Sequence, residues 1–201
     1  VRRSVFTRSD VGFIFVNRQA TSLSAGESYS RAGGVDANFR FDRLQVNAYA
    51  ALTEDPGPDG DRSIGTVQVG WRDPVFDFSV LGKHVGGDFR PEVGFVSRTD
   101  VNQWFGSGGV HLQRPVSWLT EVNPYIDVTE SYSASGDFES REIKPGLTVI
   151  ANDGGRFSAD FSRRQEHVSE ASTILGVPLA AGDYAFDIVS LSYTSSGGRI
   201  L

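Results

Sequence analysis

The 201-residue sequence has no cysteine, no methionine and only three histidines. Nowhere does an apolar run approach the roughly 20 residues that a membrane-crossing helix needs. Without cysteine there is no disulfide framework, no thiolate metal ligand and no thiol nucleophile. His84, His111 and His167 stand singly, without a His-Glu-x-x-His spacing, so no metal site is expected. A Gly-x-Ser-x-Gly elbow is missing too, and the glycine-rich stretch 106–109 lies inside a strand pattern rather than before a helix, which excludes a phosphate cradle. Those glycines fit bending or a close backbone approach better. No basic block exists: 19 Lys and Arg are scattered among 25 Asp and Glu for a net charge of -6. A nucleic-acid partner therefore has no electrostatic footprint. There is also no basic-then-apolar leader, and with Val1 rather than Met at the start the chain reads as a mature or excised piece.

What remains is rich in Gly, Val, Phe, Ser and Thr, a composition of strands and turns within one domain spanning 1–201. The period is two almost throughout. Val35, Ala37, Phe39 and Phe41 alternate with Asp36, Asn38 and Arg40, and after Asp42 and Arg43 the series Leu44, Val46, Ala48, Ala50 alternates with Gln45, Asn47, Tyr49. The pair reads as a hairpin with a very tight turn. Similar alternation centres on Val11, Phe13 and Phe15, on Val67, Val69 and Trp71, and on Phe76, Phe78 and Val80. It recurs at Ile126 and Val128, at Ile143, Leu147 and Val149, at Phe157, Ala159 and Phe161, and at Val189, Leu191 and Tyr193. With a looser segment at 101–112, about ten strands are predicted.

Connections nearly take turns in length. Short ones sit near Asp42, at 72–74, 114–118 and 152–155, with one exception at 134–137. Longer polar ones sit at 19–29, 53–62, 84–99 and 169–183. This asymmetry, together with Trp71 and Trp118 beside short turns and Tyr29, Phe89, Trp104 and Tyr184 near the opposite ends, predicts an all-β, antiparallel up-and-down transmembrane β-barrel. A soluble β-sandwich shares the alternation but does not require the asymmetry.

The stretch Asp88, Phe89, Arg90, Pro91, Glu92, Val93, Gly94, Phe95, Val96, Ser97, Arg98, Thr99, Asp100 resembles a recurring motif of one bacterial family. So do Arg2-Arg3-Ser4-Val5 with Arg8-Ser9-Asp10-Val11-Gly12, and Gly182-Asp183-Tyr184-Ala185-Phe186-Asp187. The family is a C-terminal outer-membrane-type β-barrel domain of unknown function that follows a family-9-like carbohydrate-binding module in Gram-negative bacteria. The resemblance runs along the whole chain, but no such module precedes Val1, and the family barrel continues further than Leu201. It implies the central part of a larger barrel, in the bacterial outer membrane. The implied partners are outer-membrane lipid and a carbohydrate-binding module of the same full-length protein. It supplies no activity.

Two groups of residues carry candidate chemistry. The strand faces opposite the apolar rows bear Asp36, Asn38, Arg40, Glu142, Lys144, Asp160 and Arg164. There Asp36, Arg40, Glu142 and Lys144 are expected to neutralise one another as a network inside the barrel; a solute pathway or sugar-binding surface is the functional alternative. The loop motif offers the acids Asp88 and Glu92, and glycoside chemistry needs two carboxylates flanking a scissile bond. The competing reading is a loop folded into the barrel mouth, with Arg90 tied to a wall carboxylate and Phe89 and Phe95 as anchors. Asp55, Asp59 and Asp61 lack the full alternation and distal Glu of a calcium loop. The reading that results is a non-catalytic outer-membrane barrel without a cofactor, structural or transporting in the handling of carbohydrate or another polymer. A barrel-embedded glycan hydrolase and a soluble binding module are the alternatives.

Overall fold

A computed structural model describes residues 1–19, 29–57, 59–91, 94–174 and 176–196. The alternation becomes strands: β1 (Arg2–Phe6), β2 (Ser9–Gln19), β3 (Tyr29–Phe41), β4 (Leu44–Glu54), β5 (Ser63–Arg72), β6 (Phe76–Val85) and β7 (Val101–Val110). There follow β8 (Leu112–Gln113), β9 (Leu119–Tyr132), β10 (Phe138–Ala151), β11 (Arg156–Val168), β12 (Ser172–Ile174), β13 (Val177–Leu179) and β14 (Gly182–Thr194). Twelve of them form one antiparallel up-and-down sheet in the order β1-β2-β3-β4-β5-β6-β7-β9-β10-β11-β14, with β8 on β9. β12 and β13 make a separate small hairpin. Among the described residues there is no helix, and the sheet is not closed.

The strand number exceeds the predicted ten for identifiable reasons. β1 has no apolar alternation and every residue in it is exposed, so only its backbone pairing with β2 reveals it. β8 follows β7 across His111, whose amide donates to the Val75 carbonyl at 2.7 Å. The hairpin β12–β13 lies within the long connection expected at 169–183.

The alternation of connection lengths is present. The connections 7–8, 42–43, 73–75, 114–118 and 152–155 are short, while 55–62, 86–100 and 169–181 are long, 133–137 is again the exception, and the expected connection at 19–29 falls largely outside the described residues. Because each strand reverses the last, the two sets fall at opposite strand ends. Local chemistry explains the tight ones. Asp42 takes φ 50° in the two-residue turn closed by the Phe41–Leu44 pair, a position that favours Asp, Asn or Gly. Asp73 accepts the amides of Val75 and Phe76 at 2.7 and 3.0 Å and also the Trp71 indole N–H at 3.0 Å.

The chain divides into two compact units. The first comprises 1–70, 80–104 and 132–137. Its register sorts the faces of β2, β3 and β4: Val11 pairs with Ala37, Phe13 with Val35 and Phe15 with Gly33. Those residues continue onto Ala48, Ala50 and Leu52, while Phe39 meets Val46 and Phe41 meets Leu44. No polar side chain interrupts this face, yet Phe13 is 54 % and Leu52 64 % exposed. Phe6, Phe39 and Phe41 gather beside the 42–43 turn with ring centroids 6.1–6.3 Å apart. Asn17, Arg31 and Glu54 bound the face at its other end through contacts of 3.4 Å. The reverse face carries Asp10, Asp36, Asn38, Arg40, Gln45 and Asn47. Among the described residues of this unit, a buried hydrophobic cluster forms where Val85, Phe89 and Val101 meet, with Ala51, Ile64 and Val96 against them.

The second unit comprises 71–79, 105–131 and 138–201. Across β10, β11 and β14 one face aligns Val149, Phe157 and Tyr193, then Leu147, Ala159 and Leu191, and Phe161 with Val189. The next row on that face is charged, with Arg163 and Asp187 paired at 3.6 Å. The opposite face aligns Thr148, Ser158 and Ser192, then Gly146, Asp160 and Ser190, and Glu142 with Arg164. Again the apolar face is the open one: Val189 and Leu191 are each 69 % exposed.

Candidate functional site

The polar faces hold the candidate charges, and within each unit ion pairs form between strands. Asp36 and Arg40 belong to the first unit, and Glu142 and Lys144 to the second. In the first unit Asp36 pairs with Arg2 at 2.7 Å, not with Arg40. Arg2 also reaches Asp10 at 3.2 Å, and Asn38 donates to Asp10 at 3.1 Å and to Asp36 at 3.4 Å. Two acids on neighbouring strands are thus bridged by one guanidinium from the edge strand. Sequence reading missed Arg2 because β1 carries no alternation to place it. Gly12 leaves the space that the Asp36 carboxylate occupies; a Cβ there would overlap it.

In the second unit Lys144 pairs with Asp127 at 3.1 Å, and Asp127 also accepts the Ser107 hydroxyl at 2.8 Å. Glu142 accepts the Ser162 hydroxyl at 2.5 Å and pairs with Arg164 at 3.1 Å. Asp160 lies between Gly146 and Ser190 in the register. Lys144, Asp127, Glu142 and Arg164 are part-buried, each paired with an opposite charge from an adjacent strand. Such pairing answers the cost of covering a charge but performs no chemistry by itself.

The 88–100 motif folds over the connection between β4 and β5. The Gly86 amide donates to the Ser63 carbonyl at 2.8 Å and the Asp88 amide to the Asp61 carbonyl at 2.9 Å. The Arg90 amide donates to the Thr53 hydroxyl at 3.2 Å. Phe89 is 5 % exposed and anchors the loop in the small core, whereas Phe95 is 91 % exposed and anchors nothing. Arg90 pairs with Asp88 of its own loop at 3.6 Å rather than with a strand carboxylate. The Gly94 amide donates to the Pro91 carbonyl at 3.1 Å, Arg98 is exposed, and Asp100 accepts the Ala134 amide at 3.2 Å. Glu92, the second acid of the hydrolase reading, lies outside the described residues.

The acidic stretch 55–61 caps its own loop. Asp55 accepts the Gly57 amide at 2.7 Å and pairs with Arg62 at 3.6 Å. Asp61 accepts the Ser63 hydroxyl at 2.7 Å and amide at 3.0 Å, and faces His84 Nε2 at 2.8 Å. The Ser63 hydroxyl is the main reason the Asp61 carboxyl sits below the ordinary carboxylate range; burial opposes it, and the Ser63 amide and His84 reinforce it. All three histidines, isolated in sequence, face an aspartate: His84 with Asp61, His111 with Asp77 at 2.9 Å, and His167 with Asp183 at 2.6 Å. Antiparallel pairing creates these neighbours, and sequence spacing carries no trace of them. Among the described residues no group of three or more His, Asp or Glu is placed to hold a metal ion.

The described residues of the first unit line an apolar and a polar concavity. One is an apolar groove of about 780 Å³ bordered by Val67, Val80, Gly82 and Trp104. The other, of about 560 Å³, is polar and bordered by Arg2, Arg8, Asn38, Arg40, Gln45 and Asn47. No known protein family, curated protein or solved structure matches this chain.

Proposed function

We propose that this chain is a non-catalytic β-barrel spanning a bacterial outer membrane, structural or transporting in carbohydrate or polymer handling. The observation that carries the membrane part is the face of β2, β3 and β4. It is apolar from the 42–43 turn to the Asn17–Arg31–Glu54 cluster, and it is exposed. From Leu44 to Leu52 it runs eight residue steps, about 27 Å along the strand at about 3.4 Å each, close to the apolar band of about 25 Å that outer-membrane barrels present to lipid. Charges and amides take the reverse face, the inverse of a soluble sheet that packs its apolar side inward. The phenylalanines beside the 42–43 turn and the stacked Trp71–Phe76 pair beside 73–75 supply the aromatic residues favoured where such a band meets water. Closure of the sheet, through β1 and β14 or through further strands, belongs to the proposal, since an unpaired strand edge in lipid is several kcal/mol unfavourable per polar group. The polymer-handling part rests on the resemblance of the 88–100 motif.

Spin labels at positions 37 and 38 in lipid vesicles test the membrane reading. Oxygen dissolved in the bilayer should relax label 37, and a water-soluble nickel chelate should relax label 38. Relaxation of both by the aqueous agent alone overturns it.

A further inference from the structure

The polar recess at the 7–8 turn is bordered by more cations than acids. Its floor is the polar face of the first hairpins, where Asp10 pairs with Asn38, Asn38 with Asn47, and Arg40 with Gln45 in the register. Arg2 is engaged by Asp10 and Asp36. Arg8 and Arg40 also border the recess, and among the described residues neither guanidinium has a carboxylate or hydrogen-bond partner. Three arginines against two aspartates leave a local excess of one positive charge in a chain whose net charge is -6.

The backbone brings the two residues to one place. The Arg40 amide donates to the Ser9 hydroxyl at 3.1 Å, which fixes Arg40 beside the residue that follows Arg8. Ser9 is 3 % exposed, and the tether is part-buried. Arg8 itself takes φ 87°, a conformation that L side chains rarely adopt. Beside them the Gln45 amide donates to Asn47 Oδ1 at 3.4 Å, and the Asn47 amide nitrogen donates to nothing among the described residues. Fork-shaped guanidiniums with a neighbouring amide N–H match the oxygens of a carboxylate or phosphate, which accept paired hydrogen bonds in one plane. A volume of about 560 Å³ suits a small molecule.

We propose that this recess is a binding site for a small oxyanion, held by Arg8 and Arg40 with Asn47 as a neutral donor. The site does not depend on the membrane reading, because its residues lie on one face of paired strands and on the 7–8 turn, whatever covers the other face.

The test titrates the folded chain, in detergent micelles at low salt, with inorganic phosphate and separately with succinate, followed by calorimetry and by phosphorus NMR line width. Saturable one-to-one binding of at least one anion is expected. Arg8→Gln and Arg40→Gln should each weaken it about tenfold or more, while Arg31→Gln, a cation paired with Glu54 on the opposite face, should leave it unchanged. Arg40→Lys, which keeps the charge but loses the fork, should weaken it less than Arg40→Gln and covers the case in which the glutamine variant fails to fold. Preference for phosphate or for succinate identifies the source of the oxyanion. No saturation with either anion, or equal weakening by Arg31→Gln and Arg8→Gln, overturns the proposal. Neither result bears on the spin-label outcome.

Discussion

Gly146 lies directly against the ring and hydroxyl of Tyr125, so that a Cβ at 146 would overlap the phenol. Relief requires the ring to leave its place on the polar face, and Gly146→Ala should cost about 1–3 kcal/mol, as overpacking does. Denaturant titration of Gly146→Ala, Tyr125→Ala and the double variant checks this: the glycine substitution should cost far less once the ring is gone. A second single-residue effect concerns Asp61. Its carboxyl is held low chiefly by the Ser63 hydroxyl, so the folded loop favours the ionised form. The associated stabilisation is complete above the unfolded-state value and disappears as pH falls through the lowered folded value. Ser63→Ala should move the Asp61 titration upward, read from its carboxyl carbon by NMR. Asp61→Asn should remove the acid-side loss of hydrogen-exchange protection at the Asp88 amide, which donates to the Asp61 carbonyl.

At the scale of the strand, facing is decided by register rather than by any single side chain. Val35 sits on the uninterrupted apolar face between Phe13 and Ala50, well away from the turn. Asn38 sits on the reverse face between Asp10 and Asn47. In a lipid-facing strand Val35→Arg should therefore cost about 2–4 kcal/mol, the penalty for a cation near the bilayer midplane. Asn38→Arg loses its hydrogen bonds to Asp10 and Asp36 but gains attraction to the same acids, and should stay within about 1.5 kcal/mol of the parent. Unfolding by denaturant in lipid vesicles measures both; equal costs contradict the opposite facing of successive residues.

At the scale of the whole molecule, the membrane reading makes a prediction about behaviour in water. Four hydrophobic residues are buried among those described, and rows of Phe, Val and Leu stay open. Exposed patches of that extent drive association. The chain should therefore aggregate when diluted out of detergent and become monodisperse in micelles, as sedimentation velocity would show. A monodisperse, cooperatively melting species without detergent contradicts the membrane reading.

Sequence alone determined the antiparallel all-β class, the facing of Val35, Phe39 and Asn38, and the alternation of short and long connections. Each follows from a local rule, the two-residue period of an extended chain or the chemistry of a tight turn, and such rules act between neighbours in sequence. The rest needed pairing between distant segments. That Arg2 takes Asp36, that Lys144 takes Asp127, that each histidine meets an aspartate and that Phe95 is left open while Phe89 is buried are all set by which strand lies beside which. Edge strand β1 was hidden because backbone hydrogen bonding places it without any pattern of its side chains. The polar recess was hidden for the same reason: Arg8 and Arg40 are 32 positions apart, and only the β2–β3 pairing brings them to one site.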